Sequence, residues 1–231
     1  MIPPLQKKVQ TIFQLLQKEY PNAQCSLHFT NHLQLLIAVI LSAQCTDKKV
    51  NEITPSLFQK YKTAQDFANA DLKDLENILH PLGFYRSKAK AVQETCRRLC
   101  SHYNGKVPNT MKDLLTLRGV ARKTANVVLA VGYGIPAGIV VDTHVKRICQ
   151  RLGLTKQNTP QKIEQELMKI VPKSHWIQLP HLLIWHGRAI CRARNPLCHQ
   201  CTLLPHCPHG QNQTQTSLQK EKKYEKNPKK T

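Results

Sequence analysis

Apolar residues recur at helical spacing along nearly the whole chain. Leu5, Val9, Ile12, Phe13 and Leu16 share one face, with Lys7, Lys8, Gln14 and Gln17 between them, which predicts an amphipathic N-terminal helix broken by Pro21-Asn22. Leu33 to Leu41 is apolar nearly all round, the pattern of a central buried helix. Leu72, Leu75, Ile78 and Leu79 predict another helix, ended near His80-Pro81 and Gly83. Val92, Cys96 and Leu99 mark the next, closed by Asn104-Gly105. Leu114, Leu115 and Leu117 predict a short helix that stops at Gly119, and a new one starts at once with Ala125, Val128, Leu129 and Gly132 along one side. From Asp142 a further helix carries Val145, Ile148, Cys149 and Leu152 on one stripe. Thr159-Pro160 reads as a cap followed by proline at the first helical position, with Ile163, Leu167 and Ile170 buried behind it. His181 to Ala189 is a last, largely apolar helix. Ile139-Val140-Val141 is the one strand-like run, too short to found a sheet. The pattern predicts an all-α protein.

No repeat of solenoid length interrupts this pattern. The 231 residues, 41% hydrophobic and 21% charged, fit a globular chain of one large domain or two small ones. The longest apolar stretch, Leu33 to Ala43, falls short of the ~20 residues of a membrane-spanning helix. The amphipathic start does not resemble a secretory signal. Thirty-four Lys and Arg against fourteen Asp and Glu give a formal charge of +20, which favours a polyanionic partner. Residues 211–231, with six lysines, two glutamates and almost no large apolar side chain, are expected to form a disordered basic tail; +16 of the charge stays on residues 1–210.

Four of the nine cysteines crowd together: Cys191, Cys198, Cys201 and Cys207 run as C-x6-C-x2-C-x5-C. Four thiolates in one short loop suit a zinc ion or a cubane iron–sulfur cluster, and a single C-x2-C pair with long flanking gaps suits the cluster better. Arg188, Arg192 and Arg194 beside this loop fit phosphate contacts or plain solvated charge. Cys25, Cys45, Cys96, Cys100 and Cys149 read as small apolar residues. This usage points to a reducing compartment. The run Leu117-Arg118-Gly119-Val120-Ala121-Arg122-Lys123 joins two helices by a tight turn, and the N–H groups opening the second helix suit a phosphate. Lys123, in that first turn beside Arg122, reads either as an exposed phosphate contact or as an amine whose protonation is disfavoured, a candidate Schiff-base nucleophile. Asp142 reads as an N-cap, and a carboxylate so held is also able to stabilise a developing cation.

These segments together resemble endonuclease III, the bifunctional DNA glycosylase family of the helix-hairpin-helix superfamily. The likeness runs in order from about residue 5 to 208: Leu41-Ser42-Ala43-Gln44-Cys45-Thr46-Asp47, Gly83-Phe84-Tyr85-Arg86-Ser87-Lys88-Ala89, the hairpin, Val141-Asp142-Thr143-His144, and His186-Gly187-Arg188 with the four cysteines. The resemblance implies a two-lobed all-helical fold. A helical domain of residues 25–136 would carry the hairpin, and residues 1–24 with 137–210 would form an iron–sulfur cluster domain. Lys123 would be the Schiff-base nucleophile and Asp142 the catalytic aspartate. Gln44 would fill the gap in the duplex and Phe84 would wedge the opposite strand, where a leucine is common. Gly119, Ala121, Arg122, Arg188, Arg192 and Arg194 would meet DNA, and the four cysteines would ligate a [4Fe–4S] cluster. Arg118 replaces the usual hairpin proline and is positioned to add a phosphate contact; Ala121 replaces the usual second glycine and requires a negative φ.

The activity implied is base excision repair: a DNA glycosylase and abasic-site lyase that removes oxidised pyrimidines by Schiff-base formation and β-elimination, with no divalent metal in the chemistry. The partner would be double-stranded DNA with a damaged pyrimidine or abasic site, met by a monomer at the nucleoid in the cytoplasm. A monofunctional adenine glycosylase typically lacks the lysine found here as Lys123 and carries a further C-terminal domain. A non-catalytic DNA binder with a redox-sensing cluster is the alternative outside enzymes, separable by borohydride trapping.

Overall fold

Seven consecutive residues, Leu35 to Leu41, are buried on every side of one helix, as their unbroken apolar run requires. Each such aliphatic side chain contributes roughly 1.5–3 kcal/mol by leaving water. The computed structural model describes residues 3–215; helices supply its regular structure, with no β-strand among the described residues. Chain contacts divide it into two units: Cys25–Ala137, and the N-terminal residues through Gln24 with those from Gly138 onward.

In the unit of residues 25–137, that central helix is α2 (His32–Leu41), capped by Asn31, whose side chain accepts from the Gln34 amide. It is followed by α3 (Asp47–Lys60), α4 (Ala64–Asn69), α5 (Leu72–Leu79) and α6 (Tyr85–Tyr103). Thr46, Thr63, and Asp71 cap α3, α4 and α5, with a full capping box between Thr63 and Asp66. The nineteen-residue α6 packs on α4 and α5 and ends at Asn104, which adopts the left-handed conformation before Gly105. A one-turn helix, α7 (Met111–Leu114), leads through a tight turn into α8 (Arg122–Val127), which continues as a π-helical stretch, Val128–Gly132. Gly132 lies against α2: a Cβ there would come within 3.1 Å of both His32 and Leu35.

The other unit joins α1 (Pro4–Glu19) to α9 (Thr143–Arg151), α10 (Pro160–Ile170) and α11 (Gln178–Ala189). Val9, Ile12, Phe13 and Leu16 of α1 meet Val145, Ile148, Ile163, Leu167, Leu182 and Leu183 in its core. Pro160 opens α10, but Thr159 makes no side-chain cap to it. Past α11 the chain turns through the cysteines in two short 3₁₀ turns, Cys198–Gln200 and Leu204–His206.

The expected disordered tail is corrected at its start. Residues 208–215 are helical. The Gln211 amide bonds the Cys207 carbonyl at 3.0 Å, Gln211 Nε2 donates to Pro205 O at 3.0 Å, and Thr214 Oγ1 donates to Gly210 O at 2.5 Å. A polar segment gains order here because its first turn is anchored on the cysteine loop. The rest of that expectation falls on residues 216–231, outside the described residues.

Candidate active site and nucleic-acid interface

The turn before α8 is built around Gly119, whose φ of +77° favours glycine and whose neighbours leave little room for a side chain. A Cβ there would lie 3.3 Å from Ala91 Cβ and 3.4 Å from Ile40 Cγ2. Ala121 has φ −89° and ψ 172°, extended backbone open to any residue, so alanine causes no strain there. It offers α8 no side-chain cap, which leaves the positive end of the helix uncovered by a side chain. Lys123 is exposed in that first turn and Arg122 half-buried beside it. Arg118, at the position of the usual proline, is ion-paired with Glu94 of α6. The guanidinium holds the Glu94 carboxyl below the usual carboxylate range.

Gln44 and Phe84 share an unusual backbone. Both are left-handed, with φ of 53° and 59°, and neither is glycine. Such positions cost about 1–3 kcal/mol each and persist where the surroundings impose them. Gln44 is exposed in the turn between α2 and α3; Phe84 begins α6 with 68% of its surface in solvent. One turn into α6, Lys88 is buried, and its ammonium makes no hydrogen bond. Burial lowers the Lys88 pKa, and the nearby Cys45 thiol opposes that shift.

Asp142, in the other unit, is the N-cap of α9. Its Oδ1 accepts from the Val145 amide at 2.8 Å, and the residue is half-buried. Burial pushes the Cys149 thiol up to about 12, with the Asp142 charge adding to the effect.

The cysteine loop is held from α9 and α11. Cys191, Cys198, Cys201 and Cys207 line one cavity with Ile190, Pro196, Leu204, His209 and Gly210, and all four thiols are free. Donors reach the sulfurs: Arg151 Nη1 lies 3.3 Å from Cys191 Sγ, the Gly210 amide 3.3 Å from Cys207 Sγ, and His186 Nε2 3.5 Å from Cys201 Sγ. Arg147 Nη2 donates to Cys191 O at 2.9 Å and to Gly187 O at 3.2 Å; Arg151 donates to Arg192 O at 2.7 Å and Ala193 O at 3.1 Å. Burial raises Cys201 to about 11 and pushes Cys198 and Cys207 up as well, and the neighbouring thiolates reinforce each shift. Among the described residues no three His, Cys, Asp or Glu side chains close on a single metal ion. Arg188, Arg192 and Arg194 are exposed along this segment.

Sequence reasoning missed Arg147, Arg151 and Glu94, and gave no role to Lys88 and His186 of the quoted motifs. The first two sit four residues apart on α9, a spacing that places them on one helix face and was open to view.

Residues 37–173 match the family model described as the HhH-GPD superfamily base excision DNA repair protein. Endonuclease III of Synechocystis sp. is 52% identical over 200 residues, 87% of this chain and 91% of the relative. That of Bacillus subtilis is 41% identical over 215 residues, covering 93% and 98%. The solved structure of a non-covalent endonuclease III–DNA complex superposes with a TM-score of 0.85 at 43% identity, over 90% of this chain and 98% of that one.

The chain belongs to the HhH-GPD superfamily and, within it, to the endonuclease III family.

For an endonuclease III relative, the family-model match takes in the hairpin, Lys123 and Asp142 and stops short of the four cysteines, which the full-length relatives span. The all-helical hairpin-bearing fold expected from the sequence is the one found. No helix among the described residues is long and apolar enough to cross a membrane.

Proposed function

We propose that this chain is a bifunctional DNA glycosylase and abasic-site lyase of base excision repair, acting on oxidised pyrimidines and abasic sites in double-stranded DNA. The observation that carries this reading is the exposed Lys123, one residue inside α8 and directly after the Gly119 turn. A second solved endonuclease III, 43% identical to this chain, is a trapped covalent intermediate with DNA.

In this reading the hairpin turn at Gly119, Ala121 and Arg122, together with Arg188, Arg192 and Arg194, holds backbone phosphates, so affinity falls steeply with salt. Flipping is cheapest where damage has already spoiled stacking. Phe84 and Gln44 are suited to entering the stack because their left-handed turns present them outward. Once deprotonated, the Lys123 amine attacks C1′ of the flipped nucleotide, and the glycosidic bond breaks with its electron pair leaving on the base. Asp142 stabilises positive charge on the sugar and assists deprotonation of Lys123. The sugar ring opens to an imine on Lys123, which acidifies the C2′ proton. Loss of that proton expels the 3′ phosphate by β-elimination, and water then releases the enzyme.

Cys191, Cys198, Cys201 and Cys207 fit a [4Fe–4S] cluster: four free thiols share one cavity, with the Arg151 and Gly210 N–H donors and the His186 ring near their sulfurs. When bound, such a cluster ties the loop that bears Arg192 and Arg194 and takes no part in the lyase steps. We place the enzyme as a monomer at the nucleoid in the cytoplasm, in keeping with its +20 charge.

Borohydride reduction during reaction with lesion-bearing duplexes, followed by peptide mass spectrometry, tests the reading. The expected result is one covalent adduct, on Lys123. An adduct on another side chain, or none, overturns it.

A further inference from the structure

The exposed Phe84 is the N-cap of α6, and one face of that helix, beside Ile40 of α2, seats the hairpin turn. Lys88, Ala91, Thr95 and Arg98 follow one another at spacings of three and four residues, with Glu94 beside them. The turn rests on this face at four points. Gly119 approaches Ala91 so closely that a Cβ would leave only 3.3 Å. The buried Thr95 donates through Oγ1 to the Arg118 carbonyl at 2.6 Å. Glu94 pairs with the Arg118 guanidinium. Arg98 Nε donates to Thr116 Oγ1 at 3.1 Å.

We propose that Glu94 and Arg118 are positioning residues: their ion pair, with the Thr95 bond, latches the phosphate-binding turn onto the helix that carries Phe84. Turn and wedge then engage the duplex as one body. Ten residues of α6, Tyr85 to Glu94, lie between Phe84 and Thr95, about 15 Å of helix at 1.5 Å per residue. The turn is thus held from outside itself, through a side chain and a carbonyl that reach α6. The pair turns the Arg118 guanidinium toward Glu94.

This inference rests on the proposed function, in which the turn and Phe84 both touch DNA. Its test uses the full chain, a duplex with a tetrahydrofuran abasic analogue, and 2-aminopurine opposite the analogue as a reporter of unstacking by Phe84. Glu94→Gln is expected to weaken binding by roughly two- to fivefold, the range of a partly exposed ion pair, and to lower the 2-aminopurine signal at saturating protein. The slope of log affinity against log salt is expected to stay as in the wild type. Arg118→Gln is expected to reproduce the weakening and the lowered signal of Glu94→Gln with the slope kept, and combining the two is expected to change nothing further. A plain loss of fold stability would not produce that pattern, because saturating signal and salt slope are read on folded protein.

Tighter binding by Glu94→Gln with a steeper slope would show Arg118 to be a masked phosphate contact and overturn the proposal. So would a slope reduced by about one unit in Arg118→Gln, the mark of a lost phosphate contact. Unchanged binding and unchanged 2-aminopurine signal in Glu94→Gln would also overturn it. Wild-type protein that fails to form a borohydride adduct or to prefer the analogue over intact duplex overturns the underlying function instead, so the two failures are told apart.

Discussion

Asp142 Oδ1 accepts a 2.8 Å hydrogen bond from the Val145 amide, so the residue assigned to catalysis is also the bolt of its own helix. The two roles separate by substitution. Asparagine caps as well as aspartate, while alanine loses about 1 kcal/mol. Asp142→Asn is expected to melt within a few tenths of a kcal/mol of wild type, yet turn over damaged DNA at least about tenfold more slowly. Asp142→Ala is expected to be both slow and less stable. Thermal denaturation beside single-turnover assays measures this; an asparagine variant with full activity would leave Asp142 as a cap only.

Lys123 is exposed and supports no core contact. Its removal is therefore expected to cost stability no more than about 0.5 kcal/mol, the usual range for surface changes. Lys123→Gln is expected to retain binding to the abasic analogue and to lose strand cutting and borohydride trapping together. Abasic DNA cut by this variant at the wild-type rate would remove Lys123 from the chemistry.

The sequence disclosed the parts of this site that depend on local pattern and concealed those that depend on distant partners. The buried stripes of α1, α2, α9 and α10, and the glycine between α7 and α8, follow from periodicity and punctuation, and the structure has them. Helix α3 is harder to see because Pro55 lies within it, and α4 is only six residues long, under two turns. Thr159 has the residue type of a cap but makes no side-chain bond, since residue preference does not fix a rotamer. Residues 211–215 are polar enough to be read as disordered and are ordered by bonds to Cys207 and Pro205. Arg118 is the clearest case. Its partner Glu94 is 24 residues away, and only the packed α6 brings the two together.

Gly187 fixes how closely α11 approaches α9. A Cβ there would stand 2.8 Å from His144 Nδ1, 3.0 Å from Ile148 Cδ1 and 3.1 Å from Arg147 Nη2. Arg147 is the side chain that holds the Cys191 carbonyl, so crowding at Gly187 is transmitted to the start of the cysteine loop. Gly187→Ala is expected to destabilise by about 1–3 kcal/mol, as overpacking does. It is also expected to lower the iron recovered per protein, read by metal analysis and by the yellow-brown absorbance of the purified chain. Full stability with full iron content would show that the helices part without cost. A colourless wild-type protein with one zinc would replace the cluster by a structural ion.

Lys88 carries a buried ammonium without a hydrogen-bond partner, at the N-terminal end of α6 where the helix dipole is also unfavourable to a cation. An unsatisfied buried polar group costs about 1–3 kcal/mol, so Lys88→Met, similar in length and apolar, is expected to raise stability at neutral pH by an amount of that order. The pH dependence gives the sign independently. Burial lowers the folded-state pKa of Lys88 below its ordinary value of 10.5. Between the two values the unfolded chain holds a proton that the folded chain has released, so this group makes stability rise with pH toward 10.5. Below the folded-state value both forms are charged, and the full penalty is present. The advantage of Lys88→Met over wild type is therefore expected to be constant near neutrality and to shrink as pH climbs toward 10.5. Subtracting the two denaturation curves at each pH cancels the tyrosines, Tyr20, Tyr61 and Tyr133, whose pKa values burial raises and which lower stability above pH 10 in both proteins alike. A difference that stays flat through pH 10, or a variant less stable than wild type at pH 7, would mean that the ammonium is well solvated or partnered in solution.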